Sequence, residues 1–560
     1  MLGLSSLGRT ESHVLAGLDA VLGVLHQLAG RARPAATDAS RPITFAAGDT
    51  LLTEHTEAVL GRRAAEHGAH IMVTMPGEAA RDYDLVRQAL ANGMDCMRIN
   101  CAHDDAQAWA RMVQNLRRAR KELRADCRVL MDLGGPKLRT GPIDPASQTL
   151  RWKPARDERG AVSTPARVWL TAAERPQPSP APADAILEVR RDGLRGARSG
   201  DRLSFTDLRG KPRSLRLAAS AAGGWWANGS TTAYVDEGRR LLLRHVRPGE
   251  RRREPRTLEA VPHAPSPDRH AITLRVGDTL LVTAAAIPGA PAVVGARGKT
   301  LRPARISCTL PEVFADLRAR ERILFDDGKI GGVIESVSSD LLRVRITAAP
   351  SPGAKLRADK GINLPDSQLR LPALTDKDLA DLDFVVGHAN LVGLSFVRFP
   401  EDVHGLRRQL ARRNAGRLGL VVKIETTDAF EHLPSLLLAA MRCERVAVMI
   451  ARGDLAVECG YERLAEVQEE VLWFCEAAHV PVIWATQVLE GLAKSGVPSR
   501  AEITDAAMGE RAECVMLNKG PHLVEAVRVL RDILHRMGAH QRKKSARLRR
   551  LRLSSIATGA

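Results

Sequence analysis

Lys423 and Glu425 stand two residues apart at the end of an apolar run that begins at Leu420. A β-strand turns successive side chains to opposite faces, so both point the same way and a cation becomes the neighbour of a carboxylate. A second carboxylate follows the next apolar run, in Ala451-Arg452-Gly453-Asp454-Leu455, where Gly453 allows a ligand to approach the backbone. Glu425 and Asp454 together suit Mg²⁺, a hard cation that takes one or two protein carboxylates and leaves its other positions to water and substrate. Arg98 and Asn100 are another pair two apart, and Asp132 opens the run Asp132-Leu133-Gly134-Gly135-Pro136-Lys137-Leu138-Arg139-Thr140-Gly141. Arginines and a lysine gathered around a metal can neutralise phosphate oxygens, which is what phosphoryl transfer asks of a protein. Thr486, in Trp484-Ala485-Thr486-Gln487, adds a hydroxyl. The plainer reading of Lys423 and Glu425 is a buried ion-pair network that closes one end of the fold.

These residues fall at the ends of short apolar runs. Strands are predicted over 71–75, 96–101, 128–133, 391–397, 420–425, 446–450, 480–485 and 514–517, with helical spacing between most of them, as over 83–91, 106–123, 400–413, 461–478 and 501–510. Eight strand–helix units predict a closed (β/α)8 barrel of the TIM type, whose chemistry gathers at the carboxyl ends of the strands. The barrel is expected in two parts, 69–141 and 366–540. Helical spacing over 10–30 and 50–68 predicts a helical amino-terminal extension, 1–68. Between the third and fourth strands the alternation stops over 142–365, which is too long for a loop and predicts an inserted, mostly β domain. Gly200-Asp201 and Gly277-Asp278 each precede an apolar run, a hint of internal duplication.

The chain has 560 residues, enough for two or more structural units, and 44% of them are hydrophobic, as in a folded protein. A net charge of +18 suggests a polyanionic partner, but the excess is mostly arginine dispersed along the chain, with one cluster in the basic tail, 541–560. Only 3% of residues are aromatic, which leaves little for stacking on bases, so no specific nucleic acid is expected. The eight cysteines show no CxxC pair, and no stretch reaches the roughly 18 uncharged apolar residues of a membrane span. A reducing cytoplasm and no membrane are the expectation.

Gly93-Met94-Asp95-Cys96-Met97-Arg98-Ile99-Asn100, Gly135-Pro136-Lys137-Leu138-Arg139-Thr140-Gly141, Asp326-Asp327-Gly328, Lys360-Gly361-Ile362-Asn363-Leu364-Pro365, Leu371-Pro372-Ala373-Leu374-Thr375, Lys423-Ile424-Glu425, Ala451-Arg452-Gly453-Asp454-Leu455 and Ala485-Thr486-Gln487 resemble, in order, the motifs of the pyruvate kinase family. The resemblance implies transfer of the phosphoryl group of phosphoenolpyruvate to ADP, giving pyruvate and ATP. It implies Lys423 beside the moving phosphoryl group, Arg98 and Arg139 on phosphate oxygens, Mg²⁺ on Glu425 and Asp454, and Thr486 helping to protonate the enolate. Asn100, His103, Lys360 and Gly453 would serve the substrate and nucleotide, the inserted domain would close as a lid, and a homo-oligomer is expected.

Three departures stand out. Ala102 and Leu133 replace hydroxyl residues that, with Asn100 and Asp132, would form the family's potassium site, and Lys137 replaces a glutamate. A lysine ammonium is itself a compact cation, so Lys137 is expected to reach Asn100 and Asp132 and make K⁺ unnecessary. Met516-Leu517-Asn518-Lys519-Gly520-Pro521 lacks the family's Ser-Gly-Glu-Thr run at the eighth strand. The family's carboxyl-terminal regulatory domain is not found after Val527, so no activation by sugar phosphates is expected. The alternatives are a Mg²⁺-dependent aldolase or lyase working through a pyruvate enolate, and a non-catalytic regulatory protein on the same barrel.

Overall fold

The structure is a computed structural model that describes residues 13–32, 43–62, 68–144, 150–172, 174–189, 194, 196–221, 223–235, 239–244, 256–262, 271–294, 300–538, 541–542 and 545–546. The basic tail expected over 541–560 lies mostly outside them. Two compact units emerge, one of Met1–Leu138, Asp316–Gly328 and Gly361–Ala560, the other of Arg139–Ala315 and Lys329–Lys360. The insert was expected as one block over 142–365, but Asp316–Gly328 and Gly361–Pro365 cluster with the first unit. Their backbone ties run there: Asp326 N–H donates to the Gly361 carbonyl at 3.0 Å, and Ile362 pairs with Phe325.

The first unit is a closed barrel of eight parallel strands, His70–Thr74, Cys96–Asn100, Arg128–Asp132, Leu391–Leu394, Gly419–Ile424, Val446–Ala451, Val482–Val488 and Cys514–Leu517, in chain order around the ring. The first strand closes on the last, Met72 opposite Met516. Helices follow the strands, among them Tyr83–Ala91, Ala106–Leu123, Asp376–His388, Pro400–Arg412, Leu464–Ala477 and Leu523–Gly538. Their starts are written in the sequence. Asp105 accepts from Ala108 N–H, and Thr375 with Asp378 forms a reciprocal capping box.

Period-two alternation sorts each strand into two cores. Ile71, Val73, Met97, Ile99, Val129, Met131, Val422 and Ile424 face the helices. Met72, Cys96, Leu130, Val421, Met449, Ile483 and Met516 fill the barrel interior, and Val59 and Leu60 of the amino-terminal helix Phe45–Leu60 join that interior core. The second helix of the extension is therefore part of the barrel's packing.

The second unit is mostly β, in two modules. The first is a closed barrel of seven strands in the order Pro212–Ala221, Gly224–Gly229, Ala166–Ala172, Ala185–Val189, Arg256–Pro262, Arg239–Arg244 and Arg202–Thr206. The second contains the sheet order Ala304–Ser307, Thr279–Thr283, Leu341–Ala348 and Ile330–Val337.

One turn is built twice. In Arg198-Ser199-Gly200-Asp201 the aspartate carboxylate accepts from Arg198 N–H at 2.8 Å. In Arg275-Val276-Gly277-Asp278 it accepts from Arg275 N–H at 2.8 Å. The glycines have φ of +91° and +90°, a left-handed backbone that favours glycine. Each donates to the partner strand, Gly200 to Leu217 O and Gly277 to Ile346 O, both at 2.8 Å. A strand with two buried apolar residues follows each turn, Leu203 and Phe205 or Leu280 and Val282. The two modules thus share this turn, while their strand orders differ.

Candidate active site

The interior parity that carries the apolar layer carries the charges at the carboxyl ends of the strands. Above Cys96 come Arg98 and Asn100, above Leu130 comes Asp132, and above Val421 come Lys423 and Glu425. Lys423 Nζ lies 3.2 Å from Asp132 Oδ2 and 3.0 Å from Glu425 Oε1, and donates to Ser395 Oγ at 2.8 Å. Arg98 donates Nε–H to Asp132 Oδ2 at 3.0 Å, with a second bond from Nη2, and Nη1–H to Thr74 Oγ1 at 3.0 Å. Arg98, Asp132, Lys423 and Glu425 are all buried.

Burial works against each of these charges, and the partners decide the outcome. Burial pushes the Lys423 ammonium down, but Asp132 and Glu425 outweigh it and hold it above its ordinary value. For Asp132, burial acts upward, and Lys423 with Arg98 holds the carboxyl below its usual range. Glu425 ends up raised: burial is the main cause, the negative charge of Asp454 adds to it, and Lys423 opposes it. Gly393 makes room for this cluster, because a Cβ there would overlap Asp132 Oδ1. That oxygen is buried and has no hydrogen-bond partner.

Asp454 sits in the short helix Arg452–Cys459 that follows the sixth strand. Lys137 Nζ donates to its two oxygens at 2.8 and 2.9 Å. This corrects the expectation that Lys137 would reach Asn100 and Asp132. Asp132 is already compensated by Arg98 and Lys423, and Asn100 Oδ1 accepts from Ala102 N–H at 3.0 Å. The lysine goes instead to a carboxylate that lacks that compensation.

Gly453 N–H donates to Thr486 Oγ1 at 2.8 Å, and Thr486 has a left-handed backbone, φ +66°. Arg452 fixes this corner. Its Nε–H donates to Ala485 O at 2.9 Å, Nη2–H donates to Asp505 Oδ2 at 2.8 Å, and the guanidinium lies 4.6 Å over the Trp484 ring. A hollow of about 260 Å³ is lined by Arg98, Asn100, His103, Asn518 and Lys519, among others. The altered eighth-strand exit thus faces the same space as Arg98. Gly520 there is obligatory, since a Cβ would overlap the Ala493 carbonyl.

Arg139 and Lys360 fold with the inserted unit. Arg139 Nη1 donates to Asp359 O at 3.1 Å and lies 3.4 Å from its carboxylate, and Lys360 N–H donates to Thr140 Oγ1 at 2.9 Å.

Two residues escaped the sequence reading. Ser395, just after the fourth strand, positions Lys423 and donates to Leu133 O at 2.6 Å. Glu458, one helical turn after Asp454, accepts from Asn363 at 2.9 Å, and burial pushes its carboxyl up to about 7, with Asn363 opposing and Asp454 adding to the rise. A carboxylate at i+4 from a candidate metal ligand was the available signal for Glu458.

As to metals, the described residues hold no group of three or more His, Cys, Asp or Glu that could bind an ion by themselves. Glu425 and Asp454 still suit Mg²⁺, which needs only one or two protein carboxylates. The raised carboxyl of Glu425, due in part to Asp454, is the mark of two negative charges that a shared cation would relieve.

A parallel barrel with a buried lysine–carboxylate cluster at its carboxyl end defines a class of barrel enzyme folds. Residues 270–522 match the pyruvate kinase barrel domain family, and over part of its length the chain is similar to pyruvate kinases. It is 31% identical over 262 residues to a pyruvate kinase of Bacillus licheniformis, covering 45% of this chain and 44% of that protein. It is 34% identical over 237 residues to a pyruvate kinase of Mycobacterium tuberculosis, covering 41% and 48%. A plastidial pyruvate kinase of Arabidopsis thaliana is 31% identical over 250 residues, covering 43% and 42%. The chain thus spans less than half the length of these curated relatives. Among the described residues no helix is long and apolar enough to cross a membrane.

Proposed function

We propose that the chain transfers the phosphoryl group of phosphoenolpyruvate to ADP, as a phosphotransferase that uses Mg²⁺ in the cytoplasm. The observation that carries this reading is Lys423, a buried ammonium fixed between Asp132, Glu425 and Ser395 at the barrel mouth. A charge preorganised in this way costs no reorganisation when negative charge builds on a transferring phosphoryl group.

In the forward reaction the bond between phosphorus and the enol oxygen breaks, a bond to the terminal oxygen of ADP forms, and the enolate takes a proton at carbon. Lys423 and Arg98 stabilise the phosphoryl oxygens, with Arg139 assigned to them by resemblance. Mg²⁺ on Glu425 and Asp454 would polarise the enol oxygen and substrate carboxylate as a Lewis acid. Thr486 accepts from Gly453 N–H, which leaves its own O–H proton to donate toward the enolate. Asn100 and His103, beside Arg98 in one hollow, serve the nucleotide, together with Lys360. K⁺ is not required, because Arg98 and Lys423 already supply the cations at Asp132.

The test is a coupled assay of the purified chain with phosphoenolpyruvate, ADP and Mg²⁺. Pyruvate formed one-for-one with ATP supports the reading. Pyruvate without ATP points to a lyase, and no turnover with intact fold points to a regulatory protein.

A further inference from the structure

Besides the tail, the first β-module holds most of the basic excess of the chain. From Leu150 to Pro262 the sequence has 23 Lys and Arg against 13 Asp and Glu, so this fifth of the chain carries ten of its net +18. The strand register sets part of that charge side by side. Arg202 lies directly opposite Arg216 on one neighbouring strand and Arg244 on the other, and all three are exposed. Adjacent strands are only about 4.8 Å apart, and like charges directly opposite destabilise a sheet. No ion pair or side-chain hydrogen bond joins these three arginines to a described residue.

The next row on the same face carries hydroxyls around one leucine. Ser204 lies opposite Ser214 on one side and Leu242 on the other, and Leu242 lies opposite Thr257. Arg202, Ser204, Ser214 and Arg240 line an open hollow of about 1060 Å³.

The second module shows what a self-sufficient version of this face looks like. There the exposed arginines Arg343 and Arg345 both bond Glu335 on the adjacent strand, Arg343 at 3.0 Å and Arg345 at 2.5 Å. In the first module the same kind of strand presents three arginines and no described carboxylate to bridge them. Among the described residues, their charge is left to water and to whatever anion binds.

We propose that this face of the first module binds a small metabolite carrying two or more phosphate groups. A guanidinium matches a phosphate bidentately, and the row of three suits phosphates spaced by a few ångströms. The serine hydroxyls supply donors to the remaining oxygens. The outward positions of these strands, Arg202, Ser204, Thr206, Ser214, Arg216 and Arg240, include no aromatic side chain on which a base could stack, so the face favours phosphate chemistry over a nucleic-acid strand. This site is independent of the barrel chemistry.

The experiment uses the full chain and the variant Arg202→Gln/Arg216→Gln/Arg244→Gln, titrated calorimetrically with inorganic tripolyphosphate, a sugar bisphosphate, ATP and a single-stranded oligonucleotide. Because the barrel also has phosphate-binding groups, the readout is the difference between parent and variant. Loss of one binding event, or at least a tenfold weaker affinity for tripolyphosphate in the variant, is expected. The sugar bisphosphate and ATP arms then separate the two sources of the same chemistry. Without ligand the variant should unfold at the parent's temperature or higher, since repulsion is removed, so a folding defect is not the expected cause of lost binding. Unchanged tripolyphosphate binding overturns the proposal, as does oligonucleotide binding tighter than any small phosphate.

Discussion

Both the barrel mouth and the outer face of the first β-module present basic side chains, yet among the described residues the named charges of the mouth each have an answering carboxylate and the row of three arginines on the face has none. Arg98 and Lys423 share Asp132, Lys137 holds Asp454, and Arg452 holds Asp505. Burial explains the difference. Removing a charge from water costs several kcal/mol unless a partner is in place, so charges in the mouth come in pairs. On the exposed face water screens the arginines, and a row of three like charges survives with a modest penalty. Pairing makes the barrel site rigid and preorganised, whereas the module's face is left with unspent attraction for an anion.

If that contrast is right, the largest effects belong to the paired cluster. Lys423→Met should lower kcat by roughly a thousandfold or more with the fold retained, the order expected when preorganised charge stabilisation is lost. Steady-state kinetics with circular dichroism checks this, and a near-normal kcat would remove Lys423 from the chemistry.

Next comes Glu458, a buried carboxyl whose hydrogen bond comes from the neutral amide of Asn363. Its pKa is raised to about 7 by burial first, with Asp454 adding to the rise and Asn363 opposing. The native state then holds an extra proton between about pH 4.5 and 7, so this group's contribution to stability falls as pH rises through that window. Glu458→Gln keeps the acceptor for Asn363 and removes the titration. It should be more stable than the parent by up to about 3 kcal/mol at pH 8 and nearly equal at pH 5. Equal unfolding temperatures at both pH values would show that Glu458 is not held protonated.

Smaller shifts are expected at the metal carboxylates. Glu425→Gln and Asp454→Asn should each raise the Mg²⁺ concentration for half-maximal rate by about tenfold or more, as loss of one of two ligands implies. A titration that overlays the parent's would break the assignment. Smallest is Lys137→Met. Because Lys137 occupies both oxygens of Asp454, its removal should lower the half-saturating Mg²⁺ concentration a few-fold. The parent should also turn over in buffer free of Na⁺ and K⁺ with tetramethylammonium as counter-ion. Silence until K⁺ is added would show that the cations at Asp132 do not replace it.

Much of the barrel was legible because it is local. Buried strands and amphipathic helices each carry their own periodicity, so predicted and observed bounds differ by a residue or two at most strands, as with 128–133 against Arg128–Asp132. The seventh strand differs most, since it runs on through the left-handed Thr486 and Gln487 to Val488. The pairs Arg98 with Asn100 and Lys423 with Glu425 followed from the same period of two. Partners across the ring did not, because Lys423 meets Asp132 across 291 positions and Lys137 meets Asp454 across 317. Only barrel closure decides which of several carboxylates a lysine reaches.

The insert teaches the same lesson from the other side. Its Gly-Asp pairs were visible as letters, but that they are one turn built twice required matching hydrogen bonds and φ angles. The row of Arg216, Arg202 and Arg244 exists only through register, since its neighbouring pairs are 14 and 42 positions apart along the chain and meet when three strands align. The sequence by itself determined which faces are apolar and which residue types stand at the strand ends, because those depend on the two-residue and 3.6-residue repeats. Tertiary structure alone decided which charges meet, because pairing depends on register and closure, which no short-range pattern encodes.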